Sequence, residues 1–311
     1  MKDFKMTVQG RVHRWSATPC QDAVAGAKHK GVTALALCDG AGSLPLSHAG
    51  ASRLSEVFAR WVSARFYALL QQSDRAVAEE GAALIERTLA ELASQYRAAP
   101  EAFGSTLLLV ACDRYGKNLC MHLGDGLIVG MTNSGRQVLV SEPDGVRNAT
   151  YLTCHSSRVL RAHLRVCRPE NIAGFFLSSD GSRKILYDQD ADGVSASPEI
   201  SRLLDKLYAG PAGFARGFTE FVERSVKLLD DWSVCMLVRD ANEIAPTLGC
   251  PRGDPLRRRR VARSFARYIE ALRLGLSRCR ASQAAGWSRR DFRAKQARAE
   301  ELIREEIGGG D

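Results

Sequence analysis

At 311 residues, with 45% hydrophobic and 25% charged side chains, the chain is long enough for one large domain or two smaller ones and apolar enough for a packed core. No apolar run approaches a membrane span and the opening MKDFKMTVQG lacks a signal-peptide core, so a cytoplasmic protein is expected rather than a secreted or membrane one. The net charge of +9 is uneven: residues 252–311 hold 16 Lys or Arg against 8 Asp or Glu, and residues 1–251 hold 28 against 27. That shift, with the Pro and Gly punctuation of APTLGCPRGDP, predicts a domain over 1–245, a linker at 246–255 and a basic helical extension over 256–311. The nine cysteines are scattered with no CxxC pair, and are expected to be reduced residues rather than disulfides or zinc ligands.

In chain order, partial alternation predicts strands over 4–14 and 23–29, with a loop at 15–22 between them. The run VTALALC (32–38) reads as a strand buried on both faces, and it ends abruptly in Asp39-Gly40. Apolar residues at spacings of three and four predict helices over 47–72 and 75–98. Strands follow over 105–113, 118–123, 127–132 and 136–141, joined by the short links RYGK, GDG and NSG, which predict antiparallel neighbours. Further strands are expected at 158–167 and 173–178, helices at 199–208 and 212–229, and a last strand at 233–239. Strands, a helix pair, a meander, helices and a final strand exclude a doubly wound parallel sheet. They predict an α+β layered sandwich of antiparallel sheets covered by helices.

One Asp-Gly alone is a turn dipeptide. Here five aspartates share one setting at a strand end or start: Asp22 in CQDA, Asp39 in LCDG, Asp125 in LGDG, Asp180 in SSDG and Asp230 in DDWS. Carboxylates grouped without His or Cys partners suit Mg²⁺ or Mn²⁺ better than zinc, and without a cation they repel one another.

The set CQDA (20–23), LCDGAGS (37–43), GST (104–106), HLGDG (122–126), LSSDG (177–181) and DDWS (230–233), in that order, resembles the metal-dependent protein phosphatases of the PPM or type 2C family, bacterial branch. The resemblance covers about residues 5–240. It implies an α-β-β-α sandwich of two antiparallel sheets flanked by helices, with a two-metal centre at one end. It also implies that Asp39 bridges both metals, that the Gly40 carbonyl is a further ligand, and that Asp180 and Asp230 hold one metal. Asp22 would hold water on the metals and Asp125 would bind a third ion. The implied reaction is hydrolysis of phosphoserine or phosphothreonine in proteins by water activated between two Mn²⁺ or Mg²⁺ ions, in a protein paired with a serine/threonine kinase.

Three positions depart from the family pattern. Gln21 stands where many members have Glu. Ala41 stands where many have the histidine that can protonate the leaving alkoxide, with His48 as a substitute. The phosphate-binding arginine is missing before Asp22, with Arg11 or Arg14 as substitutes. Asp231 is expected to cap or face solvent, His122 to be a packed core residue, and Ser43, Ser105 and Thr106 to be turn or strand-start hydroxyls. His13, His29, His155 and His163 form no metal-ligand spacing.

In the extension, Val261, Phe265, Tyr268, Leu272 and Leu276 form a helical stripe. After a break at Ala285-Gly286, Ser288 and Asp291 suggest the N-cap and N3 of a second helix through Ile307. Such a pair docks on the main domain or a partner protein, or binds an acidic ligand or nucleic acid. The alternative to catalysis is a weak or inactive regulatory module of the same fold acting through this tail.

Overall fold

The structure is a computed structural model that describes residues 1–311 except 147–148, 184, 191–192, 211–212, 225–228, 240–254, 289–291, 294 and 300–311. The chain opens with β1 (Lys2–Val8), the short helix α1 (Arg11–Ser16), and the hairpin of β2 (Ala23–His29) and β3 (Val32–Cys38). Helices α2 (Ser47–Leu70) and α3 (Asp74–Tyr96) follow, then β4 (Leu107–Cys112), β5 (Asn118–Leu123), β6 (Leu127–Thr132) and β7 (Gln137–Ser141). The short strands β8 (Gly145–Val146) and β9 (Ala149–Thr150) precede α4 (Ser157–His163), β10 (Arg165–Cys167) and β11 (Ile172–Ser178). Next come the hairpin β12 (Tyr187–Asp190) and β13 (Gly193–Ala196), helices α5 (Glu199–Ala209) and α6 (Phe214–Arg224), and β14 (Trp232–Val238). Helices α7 (Pro255–Arg273) and α8 (Arg278–Ala284) belong to the extension.

Two five-stranded antiparallel sheets form the centre, ordered β1-β14-β11-β6-β7 and β10-β5-β4-β3-β2. Strand alternation builds three apolar layers from them. In β3, Ala34, Ala36 and Cys38 face α2 and α3, while Leu35 and Leu37 face the opposite sheet. In β14, Cys235 and Leu237 meet those leucines, and Val234, Met236 and Val238 turn outward to α5 and α6. Small residues on the helix side of β3 let α2 lie close, and large ones fill the gap between sheets. This is the expected α-β-β-α sandwich.

Three local expectations are corrected. Residues 11–14 are helical, because Gly10 and the start of α1 pack on the backbone before β14: Val12 N–H donates to Leu229 O at 3.1 Å. Residues 157–163 form α4 rather than a strand, with Leu160 as its buried contact. The link GDG does not join neighbours, since β5 and β6 lie in different sheets and Gly124-Asp125-Gly126 crosses from one to the other. Among the described residues no helix is long and apolar enough to cross a membrane, and the described cysteines are free thiols.

The predicted stripe of the extension makes its own small core: Phe265, Tyr268, Ala271, Ala281, Ala285 and Trp287 are buried together, and Tyr268 stacks on Trp287 at 4.5 Å. Gly275 and Gly286, both at positive φ, end successive turns, so α8 is a separate helix that the sequence reading did not foresee. Asp291, the end of the second predicted helix and most of the linker lie outside the described residues. The extension docks on the sandwich: Arg263 makes a two-pronged ion pair with Asp205 of α5 (2.6 and 3.1 Å), and Arg267 donates to Ser134 O in the β6–β7 turn at 3.0 Å. Arg263 and Asp205 are mostly shielded from solvent, so the fork is worth more than a surface pair. Replacing Arg263 by Ala is expected to speed amide exchange in α7 about fivefold, on the order of 1 kcal/mol, while β3 and β14 stay protected. Unchanged exchange in α7 would show that this pair does not hold the tail.

Candidate functional site

Each predicted aspartate reaches the same end of the sandwich by a different route. Asp39 leaves β3 with its backbone pinned on both sides: its N–H donates to Thr106 Oγ1 at 3.0 Å, and its carbonyl accepts from Thr106 N at 2.7 Å. Ser105 and Thr106 are thus buried strand-start residues, as expected. Gly40 N–H donates to Gln21 O at 3.1 Å, and a Cβ on Gly40 would stand 2.7 Å from that oxygen, so no other residue fits. Asp180 opens the turn after β11, Asp125 rides the link between the sheets, and Asp230 immediately precedes the Asp231 that leads into β14. Thr150 Oγ1 donates to Asp125 Oδ2 at 2.6 Å and orients it.

These side chains share one cleft of about 480 Å³, lined by Asp39, Gly40, Asp125, Asp180 and Asp230, together with Asp231 and His13. Asp22 sits behind it, buried, with Ser179 Oγ donating to its Oδ2 at 2.9 Å. Its other oxygen, Oδ1, is buried with no hydrogen-bond donor.

Electrostatics set the character of the site. Burial, then the negative charges of Asp22, Asp180 and Asp125, push Asp39 well above the ordinary carboxylate range. Burial pushes Asp22 up to about 7, offset in part by the bond from Ser179. Asp180 is pushed up to about 6 by burial and by Asp125. Among the described residues no three His, Cys, Asp or Glu side chains are drawn into a closed metal cage. The donor set still fits a hard divalent cation: oxygen donors only, mutually repelling, with an orphaned buried carboxylate oxygen behind them.

Asp231 corrects the sequence reading. It is buried, and it receives Gly10 N–H on Oδ1 at 2.7 Å and Gln21 N–H on Oδ2 at 2.6 Å. His13 Nδ1 lies 2.9 Å from the same Oδ2. Two glycines permit the close backbone approach here: a Cβ on Gly10 would stand 2.3 Å from the Asp230 carbonyl carbon, and one on Gly181 would stand 2.0 Å from the Asp231 backbone carbonyl oxygen. His48 does not line the cleft, and neither does Arg11, which stacks on Trp15, nor Arg14, whose Nε donates to Gln9 O. His122 is the packed core residue expected, bonded to Ser141 Oγ and Gly124 O; burial and then Arg165 lower it to about 3. His13, Asp231, Thr150 and Ser179 were missed. Asp231 and Ser179 lie within DDWS and LSSDG, but the partners that bring all four to the site are distant in sequence.

Residues 9–223 match the family described as Protein phosphatase 2C. The match stops short of Asp230, which the sheet brings back to the site. Among solved structures, a point mutant of a bacterial serine phosphatase superposes with TM-score 0.53 at 14% identity, covering 77% of this chain and 99% of its own. PppA of Pseudomonas aeruginosa gives 0.51 at 18%, covering 76% and 96%, and Stp1 of Staphylococcus aureus gives 0.50 at 14%, covering 77% and 96%. At such identities these structures show the shared fold alone. No curated protein matches the chain by sequence. With the sandwich, the order of its elements and the match across 9–223 in agreement, this chain belongs to the protein phosphatase 2C family.

Proposed function

We propose that the chain hydrolyses phosphoserine and phosphothreonine in proteins, as a metal-dependent cytoplasmic phosphatase opposing a serine/threonine kinase. The observation that carries this reading is the convergence of Asp39, Asp125, Asp180 and Asp230 in one open cleft with Asp22 buried behind it. Asp39, the Gly40 carbonyl, Asp180 and Asp230 would hold two Mn²⁺ or Mg²⁺ ions, and Asp125 a third. Bound there, such ions lower the proton affinity of water and neutralise phosphoryl oxygens. Asp22, held by Ser179, would orient water from behind, and Thr106 fixes the backbone that presents Asp39. The catalytically weak regulatory module remains the second reading, favoured by one observation: among the described residues no Arg or Lys lines the cleft.

In the presence of Mn²⁺, Asp39→Asn is expected to lower kcat on a phosphothreonine peptide by about a hundredfold or more, with the far-ultraviolet dichroism unchanged. A folded wild type inert toward this peptide and toward p-nitrophenyl phosphate, across Mn²⁺ and Mg²⁺, would instead favour the regulatory module.

Stability should report the same crowding. Carboxyls that hold protons more tightly when folded than unfolded stabilise the fold at low pH and lose that contribution as pH rises through their folded values. With chelator present, Tm is therefore expected to fall between about pH 4 and pH 7, the range spanned by the raised affinities of Asp180 and Asp22. Asp39→Asn, which removes one crowded charge, is expected to melt roughly 3–6 °C higher than wild type at pH 7.5 and by less at pH 5. Equal melting of the two proteins at pH 7.5 would mean that the carboxylates do not strain the metal-free fold.

A further inference from the structure

The cleft holds the four carboxylates proposed to hold cations and, among the described residues that line it, a single basic side chain: His13. Its position is built with care. The helix α1 that carries it is tied to the approach to β14 by Val12 N–H to Leu229 O and by Gly10 N–H to Asp231 Oδ1. Behind it, the His13 carbonyl accepts from Thr18 N at 3.0 Å as the chain leaves the helix through Ala17 in the left-handed region.

Asp231 supplies the second half of the arrangement. It is buried, it takes two short backbone hydrogen bonds, and among the described residues the side chain within ion-pair distance of it is His13. The imidazole Nδ1 is buried 2.9 Å from Asp231 Oδ2 without completing a hydrogen bond to it, yet the side chain is 16% exposed and lines the cleft. With Nδ1 buried, Nε2 is the ring nitrogen left for the cleft. A carboxylate beside one ring nitrogen leaves the other as the nitrogen able to act in the cleft. Position 41, where many family members have a histidine, is alanine, so the role of acid is open.

We propose that His13 is the proton donor to the leaving serine or threonine oxygen, with Asp231 as its positioning residue. This rests on the phosphatase reading above. In the step, a water oxygen forms a bond to phosphorus as the bond from phosphorus to the side-chain oxygen breaks. The departing alkoxide takes the Nε2 proton of His13 and leaves as the alcohol. Water has meanwhile lost one proton on becoming part of the phosphate, and an equivalent proton returns to His13 from solvent, so charge and atoms balance.

Leaving-group dependence tests the assignment. An alkoxide is a strong base that needs a proton as it departs, whereas p-nitrophenolate leaves without one. His13→Asn keeps an amide that can donate to Asp231 from about the place of Nδ1 and removes the acid. With Mn²⁺ present, this variant is expected to lose about a hundredfold in kcat on a phosphoserine peptide, while kcat on p-nitrophenyl phosphate stays within about threefold of wild type. His13→Gln, assayed in parallel, serves should the Asn variant fail to melt cooperatively. Equal losses on both substrates, or a rise in KM with kcat intact, would overturn the acid role in favour of phosphate binding or simple support of α1. Full peptide activity in either folded variant would also overturn it. A wild type inactive on both substrates would remove the phosphatase reading itself, a result distinguishable from an active wild type with a substrate-blind variant.

Discussion

Like charges repel, and the end of this sandwich gathers Asp22, Asp39, Asp125 and Asp180 within reach of one another's fields. Nothing local favours that arrangement, so the surrounding structure must impose it. Asp39 is held by reciprocal hydrogen bonds with the start of β4, Asp22 by Ser179, and Asp125 by Thr150. The cost is borne by the three apolar layers behind the site, where β3, β4, β11 and β14 are buried along their whole length or nearly so. A protein that stores repulsion in one place and burial in another is poised to bind cations, since binding relieves the repulsion without rearranging the core.

The two sheets divide the labour. One carries Asp39 just after β3 and places Asp22 ahead of β2; the other carries Asp180 after β11 and Asp230 ahead of β14. Asp125 lies on the strap between them. The site is therefore assembled across the interface of the sheets, and the leucines between them fix its width: Leu35 and Leu37 on one side, Cys235 and Leu237 on the other. Shortening one of these residues would be felt at the carboxylates as well as in the core.

Much of this was legible in sequence because the relevant signals are local. The run Val32–Cys38 could only be a strand covered on both faces, and the long helices α2 and α3 follow from spacings of three and four. The aspartates could be found because each sits at the break of an apolar run. What could not be read depends on contacts between remote residues. Gly10 and Asp231, 221 positions apart, determine that the segment after β1 turns into helix rather than continuing as strand. In VLRAHL the apolar residues satisfy a period of two and a helical turn equally, and packing of Leu160 decided for α4. A three-residue link with two glycines looks like a hairpin turn, yet it serves as well to cross between stacked sheets. Asp231 looked like a solvent-facing neighbour of a ligand because its partners, two backbone amides and an imidazole, are invisible in a string of letters.

The basic extension is better understood from where it docks than from its charge. Helix α7 grips the β6–β7 turn through Arg267 and Ser134, whereas the opposite end of β6 adjoins the strap that carries Asp125. A six-residue strand spans about 20 Å, more than twice the screening length of about 8 Å at physiological salt. The described part of the tail therefore does little to the potential in the cleft directly. What joins the tail to the sandwich is packing along β6 and α5, secured by a forked Arg263–Asp205 pair and a backbone contact at the turn, so its helices belong to the face away from the carboxylates.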